Sequence, residues 1–200
     1  MTSENLASAA TCSSLIERAR QRNDSAWREL VDLYSPLIVI WCQHCRASHD
    51  ETADCLQDVF SAAARSLDTY RASGSTGSFR GWLWTITLNK LRDAARRKAR
   101  EFPAVGGSTA LARLAEIPDP DSIPVDEPSQ HNDLRELAAR GLAQIQNNFA
   151  PQTWQAFWRS VVDGVATEIV ARELELTPAS VRQARSRVLR RLRQQLGDEE

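Results

Sequence analysis

Lysine is nearly missing from this chain. Of its 25 basic residues only Lys90 and Lys98 are lysines, and the rest are arginines. Arginine suits phosphate forks and stacking on flat rings better than lysine does. A long apolar run is missing too. The longest, Pro36 to Cys42 (PLIVIWC), falls far short of the roughly 20 residues that a membrane-spanning helix needs. The N-terminus has no basic stretch followed by an apolar one, so no signal peptide is expected and the expected location is the cytoplasm. An excess of one charge is also lacking. The formal net charge is −1, so bulk charge points to no partner and only its distribution can. Alternating strand patterns are almost absent. The four cysteines include Cys42, Cys45 and Cys55. The run CQHC with His49 has the spacing of a zinc site, but Cys42 and Cys45 also extend the apolar series Trp27, Leu30, Tyr34, Ile38, Trp41 on one helix face. The core reading is preferred, and no metal or cofactor is expected.

Helical periodicity supplies what these absences leave open. Asp24 is placed to cap a helix from Ser25 that carries Trp27, Leu30, Val31, Tyr34, Leu37, Ile38 and Trp41, with a bend expected at Pro36. A shorter helical segment, SSLIERARQR, precedes it. In DETADCLQDVFSAAARSLDTY, residues Ala53, Leu56, Phe60, Ala63, Leu67 and Tyr70 alternate at three and four. The Gly/Ser stretch RASGSTGS then leads into RGWLWTITLNKLRDAARRK. Wound at about 100° per residue, this last stretch puts Trp84, Leu88, Leu91 and Ala95 on one face. Trp82, Ile86, Asn89 and Asp93 fall opposite, beside Arg96 and Arg97. Trp84 therefore anchors a core. Trp82 is either covered by another element or open to a ligand.

The expected fold class is all-α, with two small helical domains joined by a flexible acidic linker. The expected divisions are a flexible N-terminus over 1–12, a helical domain over 13–100, a linker over 101–131 and a second helical domain over 132–200. The linker segment EIPDPDSIPVDEPSQ has four prolines, and from Glu116 to Glu127 it has acids and no base. In the second domain Leu134, Leu137, Leu142 and Ile145 are expected inward, as are Trp154, Phe157, Trp158 and Val161. The last two segments read as a helix-turn-helix. Ile169, Val170 and Leu174 pack inside, Glu175 and Leu176 turn, Thr177 caps, and Pro178 takes the first helical position. Val181, Ala184, Val188 and Leu192 form the inner stripe. Ser180, Arg182, Gln183, Arg185, Ser186 and Arg187 face outward, a set able to reach base edges and phosphates in a major groove.

This arrangement resembles the bacterial RNA polymerase sigma factors of the extracytoplasmic-function (ECF) group, over about residues 13–100 and 132–196. The motif D-x-x-Q-[ED]-V-F is matched by Asp54, Gln57, Asp58, Val59 and Phe60. The motif F-x-x-W-L-x-x-I-x-x-N-x-x-x-D-x-x-R is matched by Phe79, Trp82, Leu83, Ile86, Asn89, Asp93 and Arg96. Glu168, Ile169 and Val170, then Ser180, Val181 and Arg182, match the second domain's pattern, while Arg187, Val188 and Leu189 depart from its usual R-A-R.

The resemblance implies that Asp54, Gln57 and Asp58 dock on the beta-prime clamp helices of core RNA polymerase, and that the beta flap is a further contact. It implies promoter DNA as a partner. Asn89, Arg92, Arg96 and Arg97 would line the path of the melted −10 strand, with Trp82 as a candidate stacking platform. The loop carrying Gly74 and Gly77 would hold a flipped base, and the α-helical second domain would read the −35 element. The linker acids Asp119, Asp121, Asp126 and Glu127 would imitate RNA charge in the polymerase channel. An anti-sigma factor is a usual further partner in that family, and no membrane contact is implied. The sequence has no nucleophile–base set, phosphate loop or paired-carboxylate cleft, so the chain is expected not to be an enzyme. The alternatives are an autonomous helix-turn-helix regulator acting without polymerase and a sigma-like decoy.

Overall fold

The computed structural model describes residues 14–71, 78–101, 114–119 and 129–197, and among them every regular element is helical. The fold is all-α. In chain order the principal helices are α1 (Leu15–Arg20), α2 (Asp24–His44), α3 (His49–Ser66), α4 (Phe79–Glu101), α5 (His131–Ile145), α6 (Pro151–Phe157), α7 (Thr167–Glu173) and α8 (Pro178–Leu196). Among the described residues no helix is long and apolar enough to cross a membrane.

Local chemistry fixes where these helices start. Ser14 Oγ accepts the Glu17 amide at the head of α1. Asn23, one residue before the expected Asp24, caps α2 by accepting the Ala26 amide at 2.9 Å. Ser48 and Glu51 form a reciprocal capping box at the start of α3. Thr177 Oγ1 accepts the Ser180 amide, and Pro178 follows it as the first residue of α8. Pro36 is accommodated within a continuous α2, where Ser35 Oγ donates back to the Val31 carbonyl.

The larger core lies between α2, α3 and α4. Trp41, Tyr34, Phe79, Leu30, Leu37 and Ile38 are almost fully buried there. Trp41 and Trp84 pack with ring centroids 5.5 Å apart. The expected stripe of Trp84, Leu88, Leu91 and Ala95 is buried throughout. Cys42 and Cys55 belong to the same core, and Cys45 packs at its margin. The Cys42 and Cys55 thiols hydrogen-bond to each other. That bond, with burial added, pushes Cys55 well above the usual thiol range, while the same bond holds Cys42 below it. Cys55 is therefore expected to resist alkylation at pH 8 in the folded protein and to react once the chain is unfolded. Peptide mapping after iodoacetamide treatment checks this.

The second group of helices departs from the sequence expectation in three places, each with a physical cause. Trp158 and Val161, expected inward, are 40% and 37% exposed. After Phe157 the helix widens into a π-turn over Trp158–Val162, with the Asp163 amide bonding the Trp158 carbonyl. The extra residue per turn rotates Trp158 and Val161 off the inner face that Ala156 and Phe157 occupy. Ile169 is 46% exposed because α7 turns Val170 and Ala171 to the core instead.

Glu175 takes the left-handed region at φ 54° in the turn between α7 and α8. A side chain there costs roughly 1–2 kcal/mol, part of which glycine gives back through its looser unfolded chain. Glu175→Gly is expected to stabilise the fold by ~0.5–1 kcal/mol and raise Tm by about 1–4 °C, read by calorimetry.

Candidate functional site

Three surfaces carry the residues that the sequence singles out, and their surroundings differ. On α3, Asp54 and Gln57 are exposed and Asp58 is half-buried, on the side away from buried Val59 and Phe60. This face adjoins α4 across a shallow cleft of about 260 Å³, lined by Asp54, Cys55, Asp58, Lys90, Arg97 and Lys98 among others. Lys98 Nζ reaches Glu51 Oε1 at 2.8 Å, and Arg97 lies 3.9 Å from Asp58. The acidic face assigned to a protein partner and the basic face assigned to nucleic acid thus share a border. One helix supplies each side of it. Nothing in the local sequence announces this pairing, because the partners are more than 35 positions apart.

On α4, Asn89, Arg96 and Arg97 are exposed along one side of the helix. Arg92, expected beside them on a strand path, is not free. Its guanidinium side chain is only 14% exposed, donates to the Ile117 carbonyl at 2.9 Å and pairs with Asp119 at 3.2 Å. Ile117 is itself 3% exposed, and Arg46 pairs with Glu116 at 3.3 Å. A piece of the expected solvated linker is therefore folded onto the first helices, because it carries two apolar side chains that pack there, Leu114 and Ile117, and two acids that meet arginines. Asp121, Asp126 and Glu127 lie outside the described residues, as does the loop with Gly74 and Gly77.

Trp82 is partly buried. Its ring packs at 5.2 Å from Tyr70 and 5.3 Å from Phe79, and Phe79 in turn contacts Tyr34. Neighbouring aromatics thus cover part of Trp82, and the remainder sits on the side of α4 that turns polar at Asn89. The ring is packed on two neighbouring aromatics, with part of it left uncovered.

On α8, Arg182, Gln183, Arg185, Ser186 and Arg187 are exposed and Ser180 is half-buried, while Val181, Ala184 and Val188 are buried beneath them. Ser180 Oγ also lies 2.8 Å from Thr177 Oγ1, so it serves the cap. A fourth surface was not read from the sequence. Trp158, Val161, Val162 and Ile169 expose large apolar side chains on the π-turn and on α7. The signal that hides it is the single-residue register slip of the π-turn, which ordinary helical periodicity does not register.

Comparison with known proteins agrees with this geometry. The sigma-70 region 2 family matches residues 30–101, which take in α3, α4 and most of α2. The RNA polymerase sigma factor NccH of Alcaligenes xylosoxydans xylosoxydans is 31% identical over 109 residues, 54% of this chain and 57% of its own length. The ECF RNA polymerase sigma factor SigE of Mycolicibacterium smegmatis is 27% identical over 177 residues, 86% of this chain and 61% of its own length. That second match is too long to lie within the first domain alone. The chain spans about three fifths of the length of these relatives. The chain is similar to RNA polymerase sigma factors, and the resemblance to their ECF group is borne out.

Proposed function

We propose that this chain is a promoter-specificity subunit that binds core RNA polymerase and directs transcription initiation. The observation that carries the reading is the region 2 match over residues 30–101, within which Asp54, Gln57, Asn89, Arg96 and Arg97 all stay exposed. In this reading α3 docks on the beta-prime clamp helices through Asp54, Gln57 and Asp58, an acidic–polar patch suited to a basic coiled coil. Asn89, Arg96 and Arg97 follow the −10 strand, with Trp82 stacking on an unpaired base. Arg92 acts indirectly by holding Asp119. The outward face of α8 enters the major groove of the −35 element, where Arg182 and Gln183 reach base edges and Arg185, Ser186 and Arg187 reach phosphates. The apolar surface of Trp158, Val161, Val162 and Ile169 suits the beta flap. An anti-sigma factor would compete for the same docking surfaces. Polymerisation chemistry belongs to the partner, and the chain itself is not an enzyme.

The test is binding to purified, sigma-free core polymerase. The chain is expected to form a complex stable to size exclusion. Asp54→Ala with Gln57→Ala is expected to weaken it about tenfold or more, since such a pair of polar contacts contributes at least 1–2 kcal/mol. Tight binding to duplex DNA with no affinity for core would instead assign the chain to autonomous regulators. Core binding without transcription would assign it to decoys.

A further inference from the structure

Arg20, the last residue of α1, lies on none of the surfaces described above. Its guanidinium reaches across to the exit of α3. Nε donates to the Leu67 carbonyl at 3.1 Å, and Nη2 donates to the Tyr70 carbonyl. Nη1 donates to Glu17 Oε2 at 3.3 Å, so the fork is held from its own helix as well. The side chain is 26% exposed. Leu67 ends α3, and one 3-10 turn over Leu67–Thr69 leads from it to Tyr70. Carbonyls at a helix end lack an intrahelical donor, and a cation placed there also meets the negative end of the helix dipole. A planar fork serves two such carbonyls at once, which the single nitrogen of lysine cannot do with the same geometry. Arg71 donates to the Tyr70 carbonyl too, at 2.9 Å, but from the adjacent position in the chain. Arg20 is 50 positions away, so its bonds set the place of Tyr70 relative to α1.

Tyr70 is the point at which that placement matters. There the backbone becomes extended, at φ −60° and ψ 134°. Its ring is 4% exposed and packs 5.3 Å from Phe79 and 5.2 Å from Trp82, tilted 41° to the latter. Phe79 belongs to α4, as Trp82 does, and moves with it. Tyr70 comes from outside that helix. It is the wall against which the Trp82 ring comes to rest, and a displaced Tyr70 leaves that ring free to take another rotamer. The path of contacts runs from the Arg20 guanidinium through the Tyr70 carbonyl and ring to Trp82.

We propose that Arg20 is a positioning residue for Trp82, acting through the backbone and ring of Tyr70. The placement of the ring is a property of the free chain. Its consequence, that Arg20 governs how well Trp82 stacks on an unpaired −10 base, rests on the sigma reading above.

The test uses the full chain with 5-fluorotryptophan in place of its six tryptophans. The fluorine resonance of Trp82 is the one lost in Trp82→Phe. Arg20→Ala is expected to shift or broaden that resonance and to leave those of Trp154 and Trp158, in the second group of helices, in place, with unchanged helical signal by circular dichroism. Arg20→Lys keeps the charge and at most one of the two carbonyl bonds, and is expected to give a smaller displacement. A Trp82 resonance unmoved in Arg20→Ala overturns the proposal. Should Arg20→Ala lose helical signal, Arg20→Lys takes its place, and an unmoved Trp82 resonance there overturns the proposal likewise. The second readout is binding of a single-stranded −10 oligonucleotide by the complex with core polymerase. Arg20→Ala is expected to weaken it about 3- to 10-fold, and to weaken it no further once Trp82 is already alanine, because residues that act through one another are not additive. The same loss in both backgrounds means an effect that bypasses Trp82, and overturns the proposal. A chain whose Trp82 resonance moves but which binds no core polymerase removes the sigma reading and leaves the positioning role standing.

Discussion

Replacing Arg182 and Gln183 together by alanine is expected to lower promoter-specific run-off transcription by about 30-fold or more. Each side chain stands on the exposed face of α8 over buried Val181 and Ala184, so truncation leaves the helix packing intact. A well-made contact to a base edge is worth ~1–3 kcal/mol of discrimination, and two of them removed together account for a loss of that size. The loss should fall on −35-dependent promoters and spare affinity for core polymerase, since the proposed docking residues lie on α3. Arg187→Ala, at a position proposed to reach phosphate, should instead weaken all promoters alike and lower the salt dependence of binding. Equal transcription by the doubly substituted and wild-type proteins would show that α8 does not read DNA in this chain.

Trp41→Ala is expected to destabilise the fold by ~3–5 kcal/mol, the usual range for removing a buried tryptophan. Trp41 is 0% exposed, packs on Trp84 and donates its indole proton to Ser129. At roughly 2–4 °C per kcal/mol for a chain of this size, Tm should fall by about 6–20 °C. Trp41→Phe keeps most of the ring packing and loses the Ser129 bond, so it should cost clearly less. A small loss in the alanine variant would mean that Trp41 is not the keystone between α2 and α4.

The helices of the first domain were legible because their signals are local. The stripe of α4, Trp84, Leu88, Leu91 and Ala95, repeats at three and four, and burial follows it residue by residue. The cap of α2 moved from Asp24 to Asn23 because adjacent polar residues offer the same oxygen. What stayed hidden depends on distant partners or on a change of period. The π-turn after Phe157 brought Trp158 and Val161 to the surface. The linker looked solvated by composition, yet Ile117 and Asp119 find Arg92, 25 and 27 positions earlier. The shared border of the acidic and basic faces, at Asp58 and Arg97, exists only once α3 and α4 are packed. The candidate site residues on α8 were legible because an outward face is simply what an amphipathic stripe leaves behind. Arg92 was misplaced for the same reason, since a helical wheel cannot see a strap laid across it.

Run-off transcription tests the central claim most directly. Purified chain would be added to sigma-free bacterial core polymerase with a pool of upstream fragments from the same genome. The account predicts discrete transcripts that need the chain and that fall away when Arg182 and Gln183, or Asn89 and Arg96, become alanine. A folded chain that binds core polymerase and yields no discrete transcript from any fragment would contradict it.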